Sequence, residues 1–273
     1  MKVLFAAAEV APFSKAGGLA DVVGSLPKYL ENDAEIAIFT PLHGLIDINK
    51  YEIKELENSA LWLTFNGKGH KFRLFMCKLP GTDINVFFVH NDWYFSCFKD
   101  VYPKWLDPEY EHERYIAFSL AVMEYAKLLN FKADIIHAND WHTAMIPVYL
   151  HSNYRYDEFW KNTKTVFEIH NLAYQGVWFE SVLDFANMRK DIVYNEWGVE
   201  HYGKVNWMKG AINYSDKVIA VSPNYAGEIV TGEYGEGMDY TLRMNQHKIV
   251  GILNGIDSVS YTHLRAHETS QDL

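Results

Sequence analysis

The stretch KVLFAAAEVAPFSKAGGLADVVGSLPKYL, residues 2–30, decides the fold. Its first part, KVLFAAAEV, is an apolar run that is typical of a buried strand. A short loop containing Lys15, Gly17 and Gly18 follows it. The loop leads into LADVVGSLPKYL, in which apolar residues recur at helical spacing and Pro27 predicts a kink or a break. The stretch therefore predicts a strand, a loop and a helix, which together form one unit of a parallel α/β sheet.

Apolar and amphipathic runs alternate along the rest of the chain. Two segments predict helices, ERYIAFSLAVMEYAKLL (113–129) and TAMIPVYLH (143–151). Further strands are predicted at 35–41, 133–139, 164–171, 216–222 and 248–255. Strands that alternate with helices indicate an α/β protein with a doubly wound, mostly parallel sheet.

Residues 51–90 differ from the rest because short strand-like runs dominate them. The runs YEIKEL, ALWLTF, HKFRLFMCKL and INVFFVH are punctuated by turn signals at Asn66-Gly67 and Pro80-Gly81. We expect this segment to form an antiparallel, β-rich insertion beside the main sheet.

The composition argues against several classes of function. The chain has 273 residues, of which 49% are hydrophobic, so it can bury a large core in one big domain or two small ones. Its net charge is −10 and no basic stripe is present, which argues against nucleic acid as a partner. No apolar stretch reaches the about 20 residues that cross a bilayer. Glu9 interrupts the first apolar run, which favours a strand over a leader peptide.

Cys77 and Cys97 are the only cysteines, and their spacing fits neither a CxxC motif nor a zinc site. Two reduced thiols are typical of a cytoplasmic protein, which is the location we expect.

Polar residues are concentrated in the loops that follow the predicted strands. In a doubly wound sheet these loops meet at the carboxyl ends of the strands, where ligands bind. The loop after the first strand contains Gly17 and Gly18, which let a ligand approach the backbone closely, and Lys15, which adds a positive charge. A phosphate group fits this loop, although a Gly-Gly entry to a helix is more often only a tight turn. The loop matches neither GxGxxG nor a P-loop.

Two further loops, HANDWH and EIHN, carry a mixture of imidazole, carboxylate and amide groups. Such a mixture suits hydrogen bonding to sugar hydroxyls, and Trp141 and Tyr174 offer flat faces to sugar rings. A second interpretation, which does not exclude the first, is that Asp140 caps a helix starting near Thr143. Zinc is not favoured because no HExxH pattern is present. The residues in question are His137, Asn139, Asp140, His142, Glu168, His170 and Asn171.

Taken together, the segments EVAPFSKAGGLADVVGSLPKYL, HANDWHTAMIPVYL, HNLAYQGV, KGAINYSDKVIAVSPNYAGEI, GEGMD and ILNGID closely resemble bacterial glycogen synthase, which is similar to plant starch synthase. The resemblance covers nearly all of residues 1–257. The lysine–threonine–glycine–glycine–leucine motif of that family appears here with Ala16 in place of threonine, so one hydroxyl is lost.

The resemblance implies a GT-B type fold, in which two Rossmann-like domains face each other across a cleft. It implies transfer of glucose from ADP-glucose to the non-reducing end of an α-1,4-glucan such as glycogen, with retention and without a metal or cofactor. Within the site it assigns donor contacts to Lys15, Gly17 and Gly18, and positions next to the transferred glucose to Asp140 and His170. His170 and its carbonyl would stabilise positive charge at the anomeric carbon. The remaining substrate-binding residues implied are Tyr94 on the acceptor side, His142, Asn171 and Asn254.

The resemblance also sets an expected domain organisation. Residues 1–257 are expected to form the N-terminal, acceptor-side Rossmann-like domain, and residues 258–273 a tail that looks non-native, with a genuine polar extension as the alternative. The second, nucleotide-binding domain of the family would follow NGID and is not in this sequence. We therefore expect this chain alone to transfer little or no glucose.

Two other functions compete with this one. The chain could be a carbohydrate-binding module that never catalyses. A dehydrogenase-type Rossmann protein is the third possibility, against which the lack of GxGxxG after the first strand counts.

Overall fold

A computed structural model describes residues 1–255, so the predictions made for the tail at 258–273 lie outside the described residues. The strands are β1 Lys2–Ala6, β2 Glu35–Pro41, β3 Lys54–Glu55, β4 Leu61–Phe65, β5 Lys68–Lys78, β6 Asn85–His90, β7 Ile135–Asn139, β8 Lys164–Ile169, β9 Val177–Trp178, β10 Glu200–His201, β11 Lys204–Asn206, β12 Lys217–Ala220 and β13 Ile249–Gly251. The helices are α1 Gly18–Leu30, α2 Pro108–Leu128, α3 Met145–His151, α4 Ser181–Phe185, α5 Lys190–Val193, α6 Trp207–Tyr214, α7 Pro223–Glu228 and α8 Asp239–Met244.

The main sheet has ten strands, and nine of them follow the order β13-β12-β8-β7-β1-β2-β6-β5-β3, with β4 paired to β5. All neighbours from β13 to β6 are parallel, which confirms the predicted doubly wound sheet. β9, β10 and β11 form a separate three-stranded sheet. Apolar residues cover both faces of the main sheet, with α1 packed on one face and α2, α3 and α6 on the other.

The β-rich segment is antiparallel only in part. β5 pairs antiparallel with β3, β4 and β6, as expected. β6, however, pairs parallel with β2 and belongs to the main sheet, so the prediction of a wholly antiparallel insertion was wrong. The physical reason is burial: Val86–Val89 are buried on both faces of the strand, which is the pattern of an inner strand of a parallel sheet.

Helix α1 continues through Pro27 to Leu30, so no break occurs at the proline. A proline inside a helix costs about 3 kcal/mol through its lost hydrogen bond and its ring clash. Here Pro27 is itself buried, together with Leu19, Val23 and Gly24 on the same face, and burial of this face offsets that cost. The tertiary packing of the helix therefore overrides the local preference.

The observed ends of other helices differ from the predicted ones by a few residues. α2 begins at Pro108, before the predicted start at 113, because the Asp107 carboxylate accepts hydrogen bonds from the amides of Glu109 and Tyr110. A 3₁₀ turn over Trp141–Thr143 precedes α3. No helix among residues 1–255 is long and apolar enough to span a bilayer.

The contact between α1 and the loop after β1 yields a stability prediction. A Cβ atom at Gly24 would lie 2.4 Å from the carbonyl oxygen of Ala11, and this backbone is tied to α1 by a 3.0 Å hydrogen bond from the Ala11 amide to Ala20. We expect Gly24→Ala to lower the free energy of unfolding by about 1–3 kcal/mol in urea titrations. Gly227→Ala in α7 is the matched control, because no atom lies within 4 Å of its Cβ, and it should gain up to about 1 kcal/mol. Equal stabilities of the two variants would contradict the proposed packing.

Candidate functional site

The loops that follow β1, β7 and β8 meet at one edge of the sheet. These three strands are adjacent and parallel, with Ala6 opposite Ala138 and Asn139 opposite Glu168. Their carboxyl ends therefore bring together the lysine–glycine loop (residues 14–18), Asp140 and His170, as the sequence predicted. This edge is the candidate site.

Asp140 ties the loop after β7 to the loop after β8. Its Oδ1 accepts hydrogen bonds from the amides of His170 at 2.8 Å and Asn171 at 3.2 Å. The amide of Asp140 in turn donates to the carbonyl of Glu168 at 2.9 Å. The side chain makes no capping hydrogen bond to the turn that follows, so the interpretation of Asp140 as a helix cap was wrong.

Both the backbone conformation of Asp140 and the burial of its carboxylate are energetically unfavourable. Its φ of 54° and ψ of 179° lie at the edge of a region that is essentially confined to glycine, which costs about 1–3 kcal/mol. Burial raises the pKa of Asp140 to about 7, against the opposing effect of the His170 and Asn171 amides, and the nearby charges of Glu168 and Glu9 add to the rise. Strain and a perturbed pKa on one residue are typical of a functional site.

His170 is a nearly buried, neutral imidazole. Its Nε2 lies 3.1 Å from Oδ1 of Asn139, and only 9% of its side chain is exposed. Burial lowers the pKa of His170, and the charge of Glu168 opposes that shift only in part. Asn171 is exposed, and its side chain accepts from the amide of Ala173 at 3.0 Å within its own loop.

In the lysine–glycine loop, the carboxylate of Glu9 already binds part of the backbone. Glu9 is buried and accepts hydrogen bonds from the amides of Ala16 and Gly17. A diphosphate was predicted to approach the Gly17 amide, but that amide already donates a hydrogen bond to Glu9. The Gly18 amide has no acceptor within residues 1–255, and no atom lies within 4 Å of where its Cβ would be.

The conformation of this loop bears on whether its glycines serve a turn or a ligand. Neither Gly17 nor Gly18 has a positive φ, so the backbone does not require glycine at either position. The remaining reason for glycine is that the space in front of Gly18 stays open, which lets a ligand approach the backbone closely. Lys15 is exposed, and its Nζ pairs with Asp21 at 2.7 Å.

His142 follows Asp140 by two residues and packs among aromatic rings. It is buried, and its ring packs against those of Tyr102 and Tyr115 at centroid distances of 4.9 and 4.5 Å. Burial holds the pKa of His142 well below its ordinary value. The predicted substrate contact of His142 stays a prediction, because its side chain is about as buried as those of Asp140 and His170.

Tyr94 is buried in an aromatic cluster. It is 1% exposed and stacks within an aromatic cluster that includes Phe72 and Tyr110. The Asn91 side chain caps the π-helical turn Asp92–Ser96 by accepting from the Tyr94 amide, which turns this ring inward and leaves Trp93 exposed instead. The Tyr94 ring therefore has no exposed face in this structure, and its role on the acceptor side stays a prediction.

Asn254 follows β13, two strands away from β8 at the same edge, where its amide lies 3.4 Å from the carbonyl of Val221. The structure thus keeps Asn254 on the predicted edge but does not bring it into contact with Asp140 or His170.

Sequence reasoning missed Glu9 and Tyr102. Glu9 is a carboxylate at the end of an apolar strand just before a Gly-Gly pair, which is a readable signal for a carboxylate that binds loop amides. Burial raises the pKa of Tyr102 well above its ordinary value, and the charges of Glu9 and Asp140 reinforce the shift, which places Tyr102 near both. Tyr102 lies in the segment VYPKW, which contains no motif that predicts a functional residue.

The starch synthase catalytic domain model matches residues 2–244 of the chain. The chain belongs to this family. The glycogen synthase of Thermotoga maritima is 46% identical over 266 residues, which is 96% of this chain and 53% of that protein. The glycogen synthase of Thermosipho africanus is 43% identical with the same coverage. The chain spans about half the length of the curated relatives it matches.

A solved structure supports the same assignment. The catalytic domain of starch synthase IV from Arabidopsis thaliana, bound to ADP and acarbose, superposes with a TM-score of 0.85 at 29% identity. The match covers 95% of this chain and 52% of that one. The predicted resemblance and the Rossmann-like fold of the GT-B type are therefore confirmed.

The raised pKa of Asp140 predicts a pH dependence of stability. Because the folded pKa of about 7 exceeds the ordinary 3.8, the folded state holds the proton more tightly, and this residue's contribution to stability falls as pH rises from about 4 to 7. In Asp140→Asn, which has no ionisable group at this position, this pH-dependent loss of stability is absent. At about 1.4 kcal/mol per pKa unit, the stability of the variant relative to wild type should rise by up to about 4 kcal/mol across that range.

Urea titrations at several pH values measure this difference. Asp191→Asn is the exposed control. The hydrogen bond from Arg189 lowers the pKa of Asp191, so its effect on stability with pH has the opposite sign, and an exposed pair of this kind contributes little to stability. A difference between Asp140→Asn and wild type that stays constant from pH 4 to 7.5 would show that the carboxyl is not held in a costly state.

Proposed function

We propose that this chain supplies the acceptor-side domain of an ADP-glucose-dependent glycogen or starch synthase, which transfers glucose to the non-reducing end of an α-1,4-glucan with retention. The observation that carries the proposal is the Asp140 carboxylate, which holds the His170 and Asn171 amides at the sheet edge where the loop after β1 also lies. A family member bound to ADP and acarbose supports a nucleotide and a glucan-like sugar as ligands. A cytoplasmic location is part of the proposal.

The lysine–glycine loop is proposed to receive the diphosphate of the donor. Its usable groups are the free Gly18 amide and the ammonium of Lys15, because Glu9 binds the Gly17 amide. Lys15 must exchange its exposed pairing with Asp21 for the phosphate, and such surface pairs contribute only about 0–1 kcal/mol. The exchange is therefore energetically undemanding.

His170 and Asp140 are proposed to act on the transferred glucose. Glucosyl transfer builds positive charge at the anomeric carbon, and a preorganised dipole with its negative end toward that carbon lowers the barrier. The carbonyl of His170 accepts no hydrogen bond within residues 1–255 and is free for this role. A neutral imidazole is also required there, since an imidazolium would repel the developing charge, and burial favours the neutral form by lowering the pKa of His170.

The leaving diphosphate completes the chemistry. Charge builds on this group as the glycosidic bond to it breaks, and it can take the proton of the acceptor hydroxyl. Two carboxylates flanking the bond, as in glycoside hydrolases, are then not required.

The proposed domain organisation makes residues 1–257 one of two Rossmann-like halves. Relatives are about twice as long, and we propose that their second half contributes the nucleotide-binding domain. The 273-residue polypeptide by itself is then expected to transfer little or no glucose.

The test joins this chain at residue 257 to the C-terminal half of the Thermotoga maritima relative. Incorporation of radiolabelled glucose from ADP-glucose into glycogen should appear in the joined protein. Lys15→Ala and His170→Ala should each lower kcat/KM by about 100-fold or more, the loss typical of a missing electrostatic contact. Lys161→Ala is the matched control, because Lys161 is exposed and pairs only with Glu158.

A carbohydrate-binding module that never catalyses is the second candidate. It predicts that the folded joined protein is retarded in glycogen-containing native gels but transfers no glucose from ADP-glucose. That result would overturn the synthase proposal. Retardation combined with transfer would support it.

A further inference from the structure

The side chain of Asn139 is held in one orientation beneath the candidate site. Asn139 is 1% exposed, and its Nδ2 donates to the carbonyls of Ala6 at 3.0 Å and His137 at 3.3 Å. The reversed amide would place its oxygen against both of these carbonyls. Oδ1 therefore faces Nε2 of His170, at 3.1 Å.

An amide oxygen only accepts hydrogen bonds. Nε2 of His170 must therefore carry a hydrogen, because a bare nitrogen would oppose its lone pair to that of Asn139 Oδ1. In a neutral imidazole the other nitrogen, Nδ1, is then an acceptor. Within residues 1–255, Nδ1 has no hydrogen-bond partner and is not among the buried, unpaired side-chain nitrogens, and 9% of the His170 side chain is exposed.

Glu168 reinforces the same arrangement from below. It is 2% exposed, its Oε2 lies 2.8 Å from Nε2 of His137, and its Oε1 lies 3.8 Å from Nε2 of His170. Burial acts to raise the pKa of Glu168, but the hydrogen bond and charge of His137, with His170, lower it overall. An ionised carboxylate at this position attracts an N–H group at Nε2 of His170 and disfavours a lone pair there.

We propose that Asn139 and Glu168 are positioning residues for His170. Asn139 locks the Nε2–H tautomer and the charge of Glu168 reinforces it, so that Nδ1 faces the site as an acceptor for a ligand hydroxyl. Second-layer groups that fix an imidazole tautomer in this way are well known around histidine ligands. The ligand-facing part of the proposal rests on the proposed function, whereas the tautomer itself does not.

The tautomer is measured directly on the 273-residue chain by two-bond ¹H–¹⁵N correlation NMR of the imidazole nitrogens, with the His170 signals assigned by their loss in His170→Gln. The wild-type spectrum should show a protonated Nε2 and a bare Nδ1 between pH 6 and 8. A protonated Nδ1 in the wild type would overturn the proposal without any variant.

Variants separate the two positioning residues. Asn139→Leu removes the acceptor and should give a mixture of tautomers, whereas Asn139→Asp keeps an acceptor oxygen and should retain Nε2–H. Glu168→Gln should retain Nε2–H but lower the pKa of His170, since an attractive charge is lost. Asn153→Leu is the control, because the Asn153 amide donates to Asn187 far from the sheet edge and should leave His170 unchanged. An unaltered tautomer in folded Asn139→Leu would overturn the role of Asn139.

Activity of the joined protein tests the ligand-facing part. Asn139→Leu should lower kcat/KM at least tenfold, and Asn139→Asp should restore part of the loss above the pKa of His170. A shifted tautomer with unchanged kcat/KM would overturn this part. If the wild-type joined protein transfers no glucose, the proposed function fails, while the tautomer measurement still stands on its own.

Discussion

The hydrogen bonds from the His170 and Asn171 amides to the Asp140 carboxylate organise the whole candidate site. They join the loops after two neighbouring strands, in addition to the contact of His170 with Asn139 and the hydrogen bond from the Asp140 amide to Glu168. Asp140 reaches these amides from a strained backbone and with its charge buried. Such a costly arrangement persists only when the surrounding sheet over-determines it, which is why it marks a site rather than a scaffold.

Glu9 makes the same kind of contact in the loop after β1, the strand next to β7. Its buried carboxylate binds the amides of Ala16 and Gly17, as that of Asp140 binds those of His170 and Asn171. Both carboxylates replace the water that loop amides would otherwise need. The consequence is a sheet edge with buried negative charge and one exposed ammonium, Lys15, paired with Asp21. The Gly18 amide at the rim of this edge is the group that we propose for an anionic ligand.

The sequence predicted the parallel sheet and the meeting of three polar loops, because hydrophobic periodicity and strand–helix alternation are local signals. It did not predict the continuation of α1 through Pro27, the direction of β6 or the burial of Tyr94. Each of these depends on packing between segments distant in sequence. It also could not reveal that Asp140 accepts from the next loop instead of capping its own turn, since both arrangements satisfy the same carboxylate. Glu9 was visible in the sequence but was assigned only to a strand.

Hydrogen exchange at the His170 and Asn171 amides tests most directly the claim that Asp140 holds the site together. Asp140→Gly is the decisive variant, because it deletes the carboxylate while glycine accommodates the backbone angles of residue 140. Both amides should be protected in the wild type and exchange at least tenfold faster in the variant, while the amides within β7 and β8 keep their protection. Unchanged exchange at His170 and Asn171 would contradict the account.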